Sequence, residues 1–311
     1  MWQNHLRSGY LDEDLELLRK YQDKNVKGED GYLTDWLGIR HNVADLPFIS
    51  GRAGERIYEL PVPDDTFHAE TIEYVSLLTS IEDGSDDCYT MAELGAGWGP
   101  WLVAAGVVTQ RKGIQRINLI GIEGEANKIP LIQRHIIQNG LEDTSSKSVI
   151  NLSIKHGVVN DGSAVKFPVV SLDAYGASLI DINRLGGQKV TDFSTVPGYS
   201  MADIMSPYDC LDFVHIDIQG YEQVLIETQI DDFQEKVRYM GIGTHSRQIE
   251  CFLFDFLSIH GFILLREMPC CFINYHKLSH DNMINLTSQD GFQLWMNRGL
   301  CPKVPGFLRK C

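Results

Sequence analysis

Two groups of residues in this 311-residue chain have the types and spacing to do chemistry together. The first is Glu93-Leu94-Gly95-Ala96-Gly97-Trp98-Gly99-Pro100, an acid followed by glycines at alternate positions. Apolar residues precede it, and Trp101-Leu102-Val103-Ala104-Ala105 reads as the start of a helix. A strand, a tight glycine turn and a helix make a nucleotide-type cofactor site. Glycine lets the backbone approach a ligand, and the helix N-terminus offers free N–H groups. Further on, the apolar run Ile117–Ile122 ends in Glu123-Gly124, where a carboxylate can hold both hydroxyls of a ribose. The second group is Asp217-Ile218-Gln219-Gly220-Tyr221-Glu222, delivered by another apolar run, with His245 following a third. A carboxylate and an imidazole at one edge of a sheet can orient an acceptor and take its proton near neutral pH.

The elements that must position these residues alternate regularly from Cys88 onward. Strands are predicted at Tyr89–Leu94, Ile117–Ile122, Val149–His156, Leu211–Ile218 and Val237–Gly243. Helices are predicted at Pro100–Lys112, Ile129–Asn139 (stopped by Gly140), Tyr221 to about Ile230, and Gln248–Ile259 (stopped by Gly261). Phe262–Arg266 and Gly291–Met296 read as a terminal hairpin. Repeated strand–helix units imply a mostly parallel sheet with helices on both faces, and two consecutive final strands imply one antiparallel strand. Ligands of such sheets bind at the strand C-terminal ends. Two long insertions, 160–208 with Gly186-Gly187 and Pro197-Gly198, and 269–290 with Tyr275, His276 and His280, belong near that edge.

Residues 1–88 lack the alternation. Leu11, Leu15 and Leu18 share one helical face, and a second helix is predicted from about Phe67 to Ile81, capped by Asp65 or Thr66. This segment reads as a helical cap or buttress, so the division is 1–88 against a cofactor-binding domain, 89–311. A net charge of −15 and a pI near 5.0 oppose general binding to nucleic acid or anionic lipid. No apolar run long enough to span a bilayer occurs, and the start, Met1-Trp2-Gln3-Asn4-His5, is unlike a secretory signal. Seven scattered cysteines without a CxxC pair suggest reduced thiols in a cytoplasmic protein.

The pattern hydrophobic-Asp-hydrophobic-Gln-Gly-x-Glu at 216–222, downstream of Glu93-Leu94-Gly95-Ala96-Gly97 and Glu123, resembles the FkbM family of S-adenosylmethionine-dependent methyltransferases. Tyr199-Ser200-Met201-Ala202-Asp203-Ile204 is similar to that family's short element before the fourth strand. The resemblance covers roughly residues 89–266. It implies the α/β class I methyltransferase fold, a Rossmann-like seven-stranded sheet with one antiparallel strand. It also implies O-methylation of a hydroxyl on a sugar, glycan or related small molecule. Carried over, Glu93, Gly95, Ala96, Gly97, Trp98 and Gly99 hold the methionine part of S-adenosylmethionine. Glu123 and Gly124 hold the ribose, Gly157 and Val158 lie near the adenine, and Asp217 and Gln219 face the methyl group. S-adenosylhomocysteine is the product. The chain departs from the family at the bulky Trp98-Gly99-Pro100-Trp101 turn, at Glu123-Gly124 in place of Glu-Pro, at Gln219 in place of Glu, and at Gly243-Thr244-His245, where a glutamate is common.

Methyl transfer needs alignment of the acceptor oxygen with the methyl carbon and a base for its proton. His245 is the expected base, and Asp217 the expected orienting group. His215 should share the sheet face of Asp217 and pack there. Arg247 is expected to pair with Glu250. Asp217, His245 and Glu250 could also ligate a divalent ion, which spacing alone does not favour. Two other readings stand: a nicotinamide-dependent oxidoreductase, weakened by Pro100 at the place of the third small residue of the dinucleotide turn, and a non-catalytic nucleotide-binding module. An exposed face on the N-terminal helices leaves room for a homodimer.

Overall fold

The computed structural model describes residues 8–62, 67–143, 147–172, 174, 176–180, 182–185, 188–272 and 287–301. Asp65, Thr66, Gly186-Gly187, Tyr275, His276 and His280 lie outside the described residues, as does the start of the chain. A seven-stranded sheet forms the centre: β1 (Cys88–Leu94), β2 (Arg116–Glu123), β3 (Val149–His156), β4 (Leu211–Ile216), β5 (Val237–Thr244), β6 (Phe262–Met268) and β7 (Gly291–Asn297). Their spatial order is β6-β7-β5-β4-β1-β2-β3. All pairings are parallel except those of β7, which runs antiparallel to both β5 and β6. The fold is the Rossmann-like sheet expected of a class I methyltransferase. The order reverses between β1 and β4, the switch point at which such sheets open a ligand crevice.

β1, β4 and β5 are almost wholly buried, as a parallel sheet covered on both faces requires. α3 (Pro100–Lys112) and α4 (Ile129–Gln138) cover one side of the β1–β2–β3 half, and α8 (Arg247–Ile259) lies against β6. α2 (Thr71–Glu82) lies across the other half, against β4, β5 and β7. Ten of its twelve residues are buried, so it has no solvent face. Tyr10, Leu17, Leu18, Trp36 and Leu37 pack in the same core as Met91, Leu119 and Phe213. The expected boundary at residue 88 therefore crosses continuous packing. α1 (Asp12–Tyr21) is docked by a buried bidentate pair, Arg266 Nε to Asp14 Oδ2 at 2.7 Å and Arg266 Nη2 to Asp14 Oδ1 at 2.9 Å.

Two elements differ from expectation in ways that shape the site. α2 begins at Thr71 rather than near Phe67, because Glu73 Oε1 accepts the Glu70 backbone N–H at 2.8 Å and fixes the first turn there. Phe67 and His68 are thereby left free of the helix. The helix predicted from Tyr221 to about Ile230 is α6 (Glu222–Thr228), and a further helix that the sequence reading left out, α7 (Ile230–Lys236), follows it, with α5 (Met201–Met205) alongside α7. The break falls at Gln229, whose side chain accepts from Met201 N at 2.6 Å and donates to Asn160 O at 2.8 Å.

Candidate functional site

The glycine turn and the end of β4 touch. Asp217 N donates to Leu94 O at 3.0 Å, and a Cβ on Gly95 (φ +80°) would overlap the Asp217 carbonyl oxygen. Only glycine lets these two loops meet. β4 ends at Ile216, earlier than expected, because the chain turns through Gln219 (φ +56°). That turn sends Gln219 Nε2 to Asp217 Oδ1 at 2.9 Å.

Beside this junction lies a cavity of about 380 Å³, within the range of small-molecule sites. Gly95, Ala96, Gly97, Trp98, Glu93, Glu123, Gly124, Gly157, Val158, Asp217 and Gln219 all reach its wall. Of the expected cofactor-binding residues, Gly99 does not. It starts α3 in the left-handed region (φ +74°) and faces Ile132. Glu93 is buried, and its carboxylate accepts from Trp101 N at 3.3 Å and Leu102 N at 2.9 Å. Glu123 accepts from Gly97 N at 2.6 Å and Glu125 N at 2.7 Å. Two acids thus fill the donor end of α3 and of the turn before it. Burial pushes the Glu93 carboxyl far above its ordinary range and raises Glu123 as well.

Sequence reasoning missed several wall residues. Glu125 is buried beside Lys128 at 2.9 Å, and burial pushes its carboxyl up to about 7. Glu125 Oε2 has no hydrogen-bond partner among the described residues. Phe48 and Phe67 come from the N-terminal segment and stand 5.4 Å and 6.3 Å from the Trp98 ring. The two-residue spacing of Glu123 and Glu125 is the one signal that was available.

A second cavity of about 300 Å³ shares Phe67, His68, Glu73 and Asp217 with the first. Its other walls include Glu70, His245, Thr287, Ser288, Gln289, Asp290 and Phe292, with no Lys or Arg among the described lining residues. His245 is 2% exposed. Its Nε2 stands 3.3 Å from Asp217 Oδ1 and 3.7 Å from Asp290 Oδ2, and its Nδ1 stands 3.1 Å from Glu222 Oε1. Neither ring nitrogen has a hydrogen-bond partner among the described residues, so the carboxylates approach as charges rather than as aligned acceptors. Burial opposes the charged ring, but Glu222 and Asp217 outweigh it and hold the imidazole protonated well above its usual pKa. In return, His245 offsets burial at Asp217 and holds that carboxyl below its ordinary range.

Glu73 is the second carboxylate at the wall common to both cavities. Burial raises its pKa, opposed by His215, whose Nε2 lies 3.4 Å from Glu73 Oε2. The His215 ring packs 5.1 Å from Trp101 and 5.9 Å from Phe292, as its strand position implies. Two neighbouring carboxyls with oppositely shifted pKa values can divide a base and an orienting role between them. Glu250 does not join this group. It accepts from Thr244 Oγ1 at 3.0 Å and Cys270 N at 2.6 Å, and pairs with Arg247 at 3.3 Å.

No family model matches the chain. A curated protein of Jannaschia sp. (strain CCS1) named "Putative methyltransferase" is 27% identical over 263 residues, covering 83% of this chain and 91% of that protein. Among solved structures, precorrin-6y C5,15-methyltransferase of Geobacter metallireducens GS-15 is 10% identical, with a TM-score of 0.40 over 75% of this chain and 91% of that one. A methyltransferase FkbM of Methylobacillus flagellatus KT is 16% identical, with a TM-score of 0.40 over 68% of this chain and 44% of that one.

Proposed function

We propose that this chain is an S-adenosylmethionine-dependent methyltransferase that transfers the methyl group to a hydroxyl of a sugar or related polyhydroxylated small molecule. The observation that carries this reading is the occupation of the helix α3 N-terminus by Glu93. A dinucleotide fold keeps those N–H groups for pyrophosphate. Here they bond the Glu93 carboxyl, and among the described residues the cavity wall adds Glu73, Glu123, Glu125 and Asp217 against one ammonium, Lys128. Such a turn offers a dinucleotide no free N–H cradle for its pyrophosphate, and the wall, with Asp217 held ionised, suits a ligand bearing a sulfonium and an ammonium. The name of the 27% identical Jannaschia relative agrees with this reading.

Residues present fit that donor. Glu123 lines the cavity and is the residue assigned here to the ribose hydroxyls, and the buried Glu125 Oε2 offers a further acceptor. Gly97 has open space where a Cβ would stand, so backbone approaches the ligand there. The donor, when bound, supplies a methyl carbon on a sulfonium; as the oxygen–carbon bond forms, the sulfur–carbon bond breaks and its electron pair returns to sulfur, leaving S-adenosylhomocysteine. Asp217 and Glu73, on the shared wall, meet the acceptor hydroxyl where the two cavities join. Glu73 accepts the hydroxyl proton as the new bond forms. His245, expected as the base, already carries a proton between carboxylates and serves to fix Asp217. The second cavity is rich in carboxylate and amide oxygens that accept hydrogen bonds from a polyol.

Calorimetric titration tests the donor. S-adenosylmethionine and S-adenosylhomocysteine should bind saturably and NAD should not, and Glu123→Ala should weaken donor binding by at least about tenfold, about 1.4 kcal/mol. Saturable NAD binding, or indifference to both adenosyl compounds, overturns the reading.

A further inference from the structure

Among the described residues, Gln219 is the one residue other than glycine in the left-handed region (φ +56°). A side chain makes that conformation costly, and it persists only where the surroundings impose it. Two groups hold the turn that contains it. Glu222 is buried, and its Oε1 accepts from Ile218 N at 3.0 Å and Gly220 N at 3.2 Å. The other group comes from the insertion at 160–208. Ser178 Oγ donates to the Gln219 carbonyl oxygen at 2.5 Å and accepts from Ile180 N at 3.0 Å, so its hydroxyl has a set direction. Ser178 is 2% exposed.

Its neighbours Gly176, Ala177 and Leu179 line the first cavity. Ala177 and Leu179 also pack against a cluster of Val158, Phe167 and Val196. Phe167 and Val196 stand on the antiparallel strands Val165–Pro168 and Phe193–Val196 of the same insertion, so the segment that carries Ser178 is anchored. On the far side of the turn, Gln219 Nε2 donates to Asp217 Oδ1 at 2.9 Å. Asp217 is the carboxylate on the wall common to both cavities.

We propose that Ser178 is a positioning residue: through the Gln219 carbonyl it holds the left-handed turn in place and thereby fixes the direction of Asp217. The insertion that walls the first cavity thus sets a group that also faces the second. The consequence for methyl transfer rests on the methyltransferase reading. Asp217 is held ionised by His245 and is assigned to the methyl group, and only S-adenosylmethionine, not its product, carries a sulfonium charge there. The hold on the turn does not depend on that reading.

Ser178→Ala deletes one hydroxyl. In the ligand-free chain it should speed amide exchange at Ile218 and Gly220, read by nuclear magnetic resonance, by about tenfold or more. Glycine adopts the left-handed region freely, so in a Gln219→Gly chain the same Ser178→Ala change should speed exchange by less than about threefold. Loss of packing alone would act equally in both backgrounds. Calorimetry then reads Asp217. Ser178→Ala should weaken S-adenosylmethionine at least about threefold more than S-adenosylhomocysteine. Circular dichroism reports folding separately. Exchange unchanged in a folded Ser178→Ala protein, or accelerated equally beside Gln219→Gly, overturns the proposal, and so does an equal loss of affinity for the two compounds. A chain in which the exchange results hold but neither adenosyl compound binds keeps the hold on the turn and loses the methyltransferase reading.

Discussion

At the scale of single residues, the two carboxyls shared by the cavities are shifted in opposite directions by their surroundings. Asp217 is held ionised by His245, while burial keeps Glu73 closer to the protonated state. As the base proposed above, Glu73 must be ionised to act, so activity should rise with pH as it deprotonates. The acidic limb of kcat therefore lies above the ordinary glutamate value of 4.5. His215 opposes that shift, so His215→Gln should move the limb upward, and a pH–rate profile of both proteins reads the displacement. Glu73→Gln should lower kcat by about 10²–10⁴-fold with donor affinity little changed. A limb unmoved by His215→Gln assigns the base elsewhere. Glu125 makes a separate prediction about stability. Its folded pKa of about 7 exceeds the value of 4.5 in an unfolded chain, so the folded state binds the extra proton between those values. Stability is full below about 4.5 and falls as pH rises towards 7, by about 3 kcal/mol from this group. Glu125→Gln should flatten that slope in urea unfolding compared between about pH 5 and about pH 8.

At the scale of elements, the site is made where the glycine turn meets the end of β4. Gly95→Ala needs both a left-handed backbone and room already taken by the Asp217 carbonyl. The loops must part, which should cost donor affinity about tenfold or more and stability about 2 kcal/mol. Melting curves with and without S-adenosylhomocysteine check both, and a variant with native affinity would show that the contact is dispensable. This part of the fold was legible because each strand and its glycine stop are local signals. The run of acid, glycines and helix at Glu93–Lys112 fixes its own geometry, and the helix at Pro100–Lys112 has the bounds its sequence implies. What was not legible depends on partners distant in sequence. The break at Gln229 needs Asn160 and Met201, and Glu73 gains meaning only when α2 carries it to His215, far along the chain. The carboxylates around His245 were not legible, because Glu222 and Asp290 approach its ring only in three dimensions.

At the scale of the whole molecule, the first eighty or so residues pack into one core with the sheet. They supply Phe48, Phe67, His68, Glu70 and Glu73 to the two cavities. Among the described residues no helix is long and apolar enough to cross a membrane. The link between α1 and the far edge of the sheet is the Asp14–Arg266 pair, in which Asp14 is fully buried and the Arg266 side chain 8% exposed. Removing Asp14 leaves the buried Arg266 with only the longer contact to Glu13 Oε1 at 3.9 Å, whereas replacing both Asp14 and Arg266 with apolar groups removes the cost of burying ions. Asp14→Leu should therefore destabilise by about 3–5 kcal/mol, while Asp14→Leu with Arg266→Met should recover most of that loss. Because the core is continuous, unfolding should remain one transition in all three proteins, lowered in the single variant. Donor affinity should follow the same order, since Phe48 and Phe67 reach the cavity from the segment that α1 anchors. Two separate melting transitions, with donor binding surviving the first, would instead make residues 1–88 an independent unit.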